Sequence, residues 1–234
     1  MFSYKTVLIA LFFPGAFAAP VHRAHIRREH SHEQFLTTVR TSLNVNNPDQ
    51  IQDPVFGLLG NAAASAGQGK ITDTNCLQQA TADQAFTNAK AAGDVNGMVA
   101  ALIYRALERN TGAVGQASVA CTSITPVNPE IAAISQHQDA ASNGAAGINK
   151  AIELALAQQI ASLGDDPQLA LKSGTFAPGQ IGDPTAKGNS CDDANDATGC
   201  IFTQNLLTPA ATANEITAAV AGISANSSTG SEFT

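Results

Sequence analysis

Five histidines, four cysteines and a run of aspartates are the residues with chemistry to offer in this 234-residue chain. His22, His25, His30 and His32 crowd one end, and a cluster of imidazoles is a way to coordinate a transition metal. A closed metal site needs three or four ligands held in place. The pair Arg27-Arg28 divides these histidines, so a cut there leaves only His30 and His32 on an extended end. The plainer reading is a solvated leader that is discarded. His137 is the only other histidine, and any Ser-His or Cys-His mechanism would have to use it. It falls one helical step after Ile131 and Ile134, at the margin of an apolar stripe, where a packed or surface histidine belongs. No G-x-S-x-G elbow and no H-E-x-x-H helix accompanies it. No catalytic residue and no cofactor are assigned.

Asp192-Asp193-Ala194-Asn195-Asp196 offers several oxygen ligands in a tight loop, which makes Asp192, Asp193 and Asp196 the weak candidates for a calcium-type ion. The run lacks the glycine and closing glutamate of an EF-hand loop, and a solvated turn accounts for it equally. Two carboxylates meeting in the fold would make a glycosidase. Sugar clefts lean on aromatic platforms, however, and after residue 28 the chain has no Trp, Tyr104 as its one Tyr, and six scattered Phe.

The cysteines are better read as structure. Cys76, Cys121, Cys191 and Cys200 are an even set that an oxidising compartment would close into two disulfides, and the sequence alone allows three pairings. Turn formers fill Asp192 to Gly199, which favours Cys191–Cys200 as a local clamp and Cys76–Cys121 as a long link. From loop length these bonds are worth about 3 and about 4 kcal/mol. A zinc site competes poorly, because there is no C-x-x-C pair and histidine is scarce.

Such disulfides require export, and the first 28 residues predict it. An apolar run from Thr6 to Ala18 follows Lys5, is too short to span a bilayer, and ends in the small-x-small pattern of signal peptidase, with Ala18 at the cut. Residues 19–28 then read as a propeptide ending at Arg27-Arg28, a site of the kexin type. Four of the twelve basic residues precede residue 29, whereas all nineteen acidic ones lie at or after it, so the released chain carries eight cations against nineteen anions. Nucleic acid and anionic membranes are poor partners for such a surface. No later segment reads as a membrane span, and oligomeric state is not legible. Asn226-Ser227-Ser228 is a glycosylation sequon.

The elements that hold these residues read as helices. Ser31 to Leu43 forms one, with Ser31 as N-cap and Phe35, Leu36 and Val39 on a face. Asp53-Pro54 and Asn128-Pro129 each look like a cap followed by a first-turn proline. The clearest periodicity runs through Ala82, Ala85, Phe86 and Ala89, then through Val95, Met98, Val99, Leu102, Ile103, Ala106 and Leu107. Gly93-Asp94 separates the two stretches, which predicts a helical hairpin. Ile148, Ile152, Ala155, Leu156, Ile160 and Leu163 form a further stripe, and Thr212 to Glu215 has capping-box spacing ahead of Ile216, Val220 and Ile223. Residues 117–124 are a weak strand candidate. The expected fold is all-α: an Ala-rich irregular helix bundle, one domain over residues 29–224, with a long disulfide-clamped loop at 173–208 and a disordered tail at 225–234.

Three segments carry a resemblance. They are Asp73-Thr-Asn-Cys76, Asp166-Pro-Gln-Leu-Ala-Leu-Lys-Ser-Gly-Thr-Phe-Ala-Pro-Gly-Gln-Ile-Gly-Asp-Pro184 and Cys191-Asp-Asp-Ala-Asn-Asp-Ala-Thr-Gly-Cys200-Ile-Phe-Thr-Gln-Asn-Leu-Leu-Thr208. Through them the chain resembles a group of uncharacterised secreted proteins of filamentous ascomycete fungi, described as cell-surface, cell-wall or effector-like. The resemblance implies an extracellular or wall location and no catalytic residue. The expected function is therefore non-enzymatic binding or surface coverage, with wall components or a host protein as partner. A host-directed effector is the alternative, and a carboxylate-dependent hydrolase comes behind it.

Overall fold

Residues 30–225 are described in the computed structural model, and they form helices joined by long irregular connections. Ala18, Arg27, Arg28 and Asn226 lie outside the described residues, as do the signal peptide, the whole propeptide and most of the tail. The helices are α1 Glu33–Val45, α2 Val55–Leu58, α3 Asn61–Ala64, α4 Leu77–Ala92, α5 Val95–Ala106, α6 Pro129–Ala132, α7 Ala145–Ser162, α8 Cys200–Thr203 and α9 Ala213–Ala219. Two 3-10 turns, Thr74–Cys76 and Pro167–Ser173, complete the set.

The predicted hairpin is the centre of the molecule. Helix α4 ends on Gly93 in the left-handed conformation (φ 67°), and the Asp94 side chain accepts the Gly97 N–H to start α5. Helix α1 lies across both arms, α7 packs on the far side of α5, and α9 covers α7. Nearly all of α5 is buried, from Gly97 to Ala106. Close approach depends on small residues where three helices meet: a Cβ on Gly97 would sit 2.9 Å from both Ala89 Cβ and Ser42 Oγ.

Irregular connections leave backbone groups that buried side chains must satisfy. Asn88 Nδ2 donates to the Ser42 and Asn46 carbonyls at the end of α1. Gln78 Nε2 donates to Tyr104 O and Leu107 O at the end of α5. The Tyr104 hydroxyl donates to Pro54 O at 2.6 Å. Arg109 spreads its donors over Gly57 O, Thr74 O and Asn61 Oδ1. These four residues join α1, α2, α4, α5 and the connections between them.

The two disulfides are Cys76–Cys121 and Cys191–Cys200. The first ties the start of α4 to the connection after α5, and the second closes the loop ahead of α8. A lone antiparallel bridge between Thr175 and Thr208 pinches the ends of the long loop together. Phe176 and Ile201 anchor it in the interior, whereas Ile181 is 72 % exposed. The stretch 117–124 is coil rather than strand.

Three local expectations are corrected. Ser31 does not cap α1: the helix starts one residue later, after His32, and the Ser31 hydroxyl bonds His32 Nδ1 instead. Helix α6 is one turn, because the Asn128 side chain is drawn onto Asp83 and the His137 N–H leaves helical geometry to donate to Ala106 O. The buried face of α7 is rotated from the apolar stripe: Ile148 is 45 % exposed, while Asn149 and Glu153 point inward. Polar satisfaction of neighbouring backbone outweighs hydrophobic periodicity there.

Candidate functional site

The expectation of His32 on an extended, solvated end is overturned by the fold, which brings it into one interior with His137, packed as its position suggested, and Glu153. His32 belongs to the turn that leads into α1, and this turn is wedged against the disulfide loop. The His30 N–H donates to Asp192 Oδ1, and His30 Nδ1 lies 3.0 Å from the same oxygen. The Ile201 N–H donates to Ser31 O. Gly199 sits at φ 105°, and a Cβ on it would lie 2.3 Å from Ser31 O, so only glycine admits the chain at this point. Far from being an exposed leader, His32 is 6 % exposed, with its ring edge-on to Phe202 at 5.3 Å. Burial lowers its pKa to about 3, helped by the nearby His137.

His137 is fully buried. Its Nε2 lies 3.2 Å from Asn149 O, and burial lowers its pKa to about 4. The Glu153 Oε1 atom stands 3.9 Å from that nitrogen. Glu153 is itself fully buried, and desolvation raises its pKa to about 7 although its oxygens accept the Ala210 and Ala211 N–H groups. A neutral imidazole beside a carboxyl that keeps its proton near neutrality has the elements of a proton-transfer pair. Its bonding points to a different use. Asn149 closes a reciprocal pair with the backbone of Gln138, and Glu153 fixes the strand of chain that enters α9. The pair is a strut joining α7 to the segments on either side of it.

Other perturbed groups serve similarly. Arg105 is 4 % exposed, donates to the amide oxygens of Gln136 and Gln79, and burial lowers its pKa to about 10. Burial also lowers Arg109 and raises Tyr104, and each of these donates to main-chain carbonyls.

The turn before α1 borders an open crease. Ser31, His32, Leu107, Glu108, Thr175 and Phe176 line a gap whose enclosed part is about 20 Å³, the room of a single water. A second hollow shares Glu108 and Phe176 with it and adds Asp139, Gly179 and Asn189. Two carboxylates thus face one surface depression, a feature the sequence reading missed.

The three aspartates singled out as ion ligands are not gathered around one point. Asp192 serves His30, Asp193 accepts from the Asn195 N–H, and Asp196 accepts from the N–H groups of Thr198 and Gly199 and from the Thr203 hydroxyl. The Thr203 bond, reinforced by backbone, holds Asp196 below the usual carboxylate range. Among the described residues no group of three or more His, Cys, Asp or Glu side chains is disposed to hold a metal. None of the helices described is long and apolar enough to cross a membrane. No family model, no curated protein and no solved structure matches this chain.

Proposed function

We propose that the chain is an exported protein of the fungal wall or its surroundings that acts by binding or covering rather than by catalysis. One observation carries this reading: four strongly perturbed ionisable groups of the interior, His137, Glu153, Arg105 and Tyr104, direct their hydrogen bonds to backbone and amide groups that the fold needs satisfied. A catalytic acid or base must reach a substrate, and these side chains lie beneath the surface. Two disulfides suit an oxidising compartment and give durability outside the cell. The resemblance of the 166–184 and 191–208 segments to secreted ascomycete proteins supports the same assignment.

The test is fractionation joined to binding. Medium, salt-extracted wall and cell lysate are immunoblotted, and the purified protein is sedimented with isolated walls and assayed on a panel of polysaccharides. Recovery from medium or wall, with sedimentation and without hydrolysis, is the expected result. Turnover of any polysaccharide that a single Asp or Glu substitution abolishes would overturn the reading, as would a purely intracellular protein.

A further inference from the structure

Arg105 and Arg109, four residues apart at the end of α5, are both buried, and among the described residues neither forms an ion pair with a carboxylate. Their partners are neutral oxygens, so two positive charges lie in the interior without a counter-ion, an arrangement that costs stability. Asp73 acts on Arg109 only from beyond ion-pair distance, and its carboxylate is committed to the Ser123 hydroxyl and the Asn75 N–H. A surface hollow of about 180 Å³ lies over Arg109, with Asn61, Asn75, Gln116, Ser118 and Val119 in its wall and no acidic side chain. In a chain of nineteen acidic and twelve basic residues this is a local reversal of sign. The guanidinium is not used evenly. Its Nε and Nη2 atoms hold the fold, at 3.1 Å from Gly57 O and 3.0 Å from Thr74 O and Asn61 Oδ1. Its Nη1 atom reaches Asn75 O only at 3.4 Å and Val119 O at 3.5 Å, and both of these residues line the hollow. Contacts of that length are at the outer limit of hydrogen bonding, which leaves Nη1 with capacity on the side of the hollow. Arg105 stands behind it, donating to Gln136, whose amide in turn donates to Ser118 Oγ and Val119 O.

We propose that this hollow is a binding site for the carboxylate of a sugar acid, with Arg109 Nη1 as the charged anchor and the exposed Gln116 amide meeting the neighbouring hydroxyls. Arginine is suited to a planar carboxylate, and the Gln116 side chain, which makes no hydrogen bond among the described residues, can both donate and accept. The hollow is smaller than the roughly 300–1,000 Å³ of pockets for larger ligands, which limits it to a single sugar unit. One carboxylate suits it better than a polyanion, because the chain as a whole is negative. An ionic anchor also replaces the aromatic platform that this chain lacks. The same chemistry is offered by a free uronic acid and by a terminal uronic acid of a neutral glycan; as a wall ligand, the second rests on the reading of the chain as a wall-binding protein.

The secreted, disulfide-bonded protein, labelled with nitrogen-15, is titrated at low salt with glucuronate, glucose, inorganic phosphate and a disaccharide carrying one terminal glucuronate. Glucuronate should shift the amide signals of residues 116–119 and the Gln116 side chain, with half-saturation at about 1 mM, and glucose should not. Asn61→Asp puts a carboxylate where Arg109 Nη2 already donates, so it should keep the melting temperature while weakening glucuronate about tenfold. Gln116→Glu places a negative charge at the rim and should weaken it about as much; if Asn61→Asp does not fold, this exposed position decides alone. No shift at residues 116–119, an equal response to glucose, phosphate bound as tightly as glucuronate, or undiminished binding by Gln116→Glu would each overturn the proposal. Tighter binding of the disaccharide than of glucuronate identifies a glycan end as the source, and equal binding identifies the free acid. Sedimentation with isolated walls separates this site from the wall reading: a protein that binds glucuronate but stays in solution loses the wall and keeps the site, whereas wall binding unchanged in a protein that ignores glucuronate does the reverse.

Discussion

Glu153→Gln is the substitution that most sharply separates a buried strut from an exposed carboxylate, because it should change how stability depends on pH. In the folded chain Glu153 titrates near 7 against an ordinary value of 4.5, so between these values the native state holds a proton the unfolded state has lost. This group therefore favours the native state below 4.5, and its contribution is lost as pH rises through 7. His32 and His137 act in the opposite sense. Their folded values of about 3 and about 4 lie below 6.5, so their contribution is complete above 6.5 and is lost as pH falls toward 4 and 3. Around pH 5.5 the unfolded chain binds roughly two protons at the histidines that the native chain does not, and Glu153 returns roughly one. Wild type should thus lose about 1.2 kcal/mol per unit of acidification from these three groups. Glu153→Gln removes the compensating proton, and the slope should steepen to about 2.5 kcal/mol per unit. Urea unfolding followed by far-ultraviolet circular dichroism at pH 6.0, 5.5 and 5.0 measures both slopes. Parallel slopes for wild type and variant would refute the claim that Glu153 is buried and protonated.

Gly97→Ala should lower stability by about 1–2 kcal/mol despite the better helix former. The added methyl meets Ala89 and Ser42 at 2.9 Å, and overpacking outweighs the propensity gain; a raised melting temperature would contradict the three-helix contact. Replacing Cys191 and Cys200 by serine opens a loop of nine-residue separation and should cost about 3 kcal/mol in chemical denaturation. The same change should loosen the His30–Asp192 contact, seen as faster amide exchange at residues 30–34. Thr212→Ala removes the side-chain half of the capping box before α9, in which the Thr212 hydroxyl accepts the Glu215 N–H, and should cost about 1 kcal/mol by the same assay, with no loss if that helix end is already frayed.

The hairpin, the capping box and the disulfide clamp were legible because each rests on local chemistry. Gly93-Asp94, Thr212 with Glu215, and the turn formers between Cys191 and Cys200 act within a few residues of themselves. The rest depends on contacts across the chain. Ser31 looks like a cap until the clamp loop takes its carbonyl. His137 looks like the edge of a helix until Ala106 offers an unfilled carbonyl. Glu153, one position after Ile152 on an apolar stripe, reads as the polar flank of a surface helix, and only the N–H groups of Ala210 and Ala211, nearly sixty residues away, turn it inward. That Asn149 lies four residues before it on the same face was the one sequence signal that the buried side carries polar groups. The Glu108–Asp139 crease had no sequence signature, since it exists only where the turn before α1 meets two distant connections.

Non-reducing peptide mapping of the protein recovered from culture medium tests the central claim, export of a trimmed and disulfide-tied chain, most directly. The expected spectrum contains a first peptide beginning at Glu29 and linked peptides pairing Cys76 with Cys121 and Cys191 with Cys200. Protein confined to the cytosol, carrying Met1 and four alkylatable thiols, would contradict it.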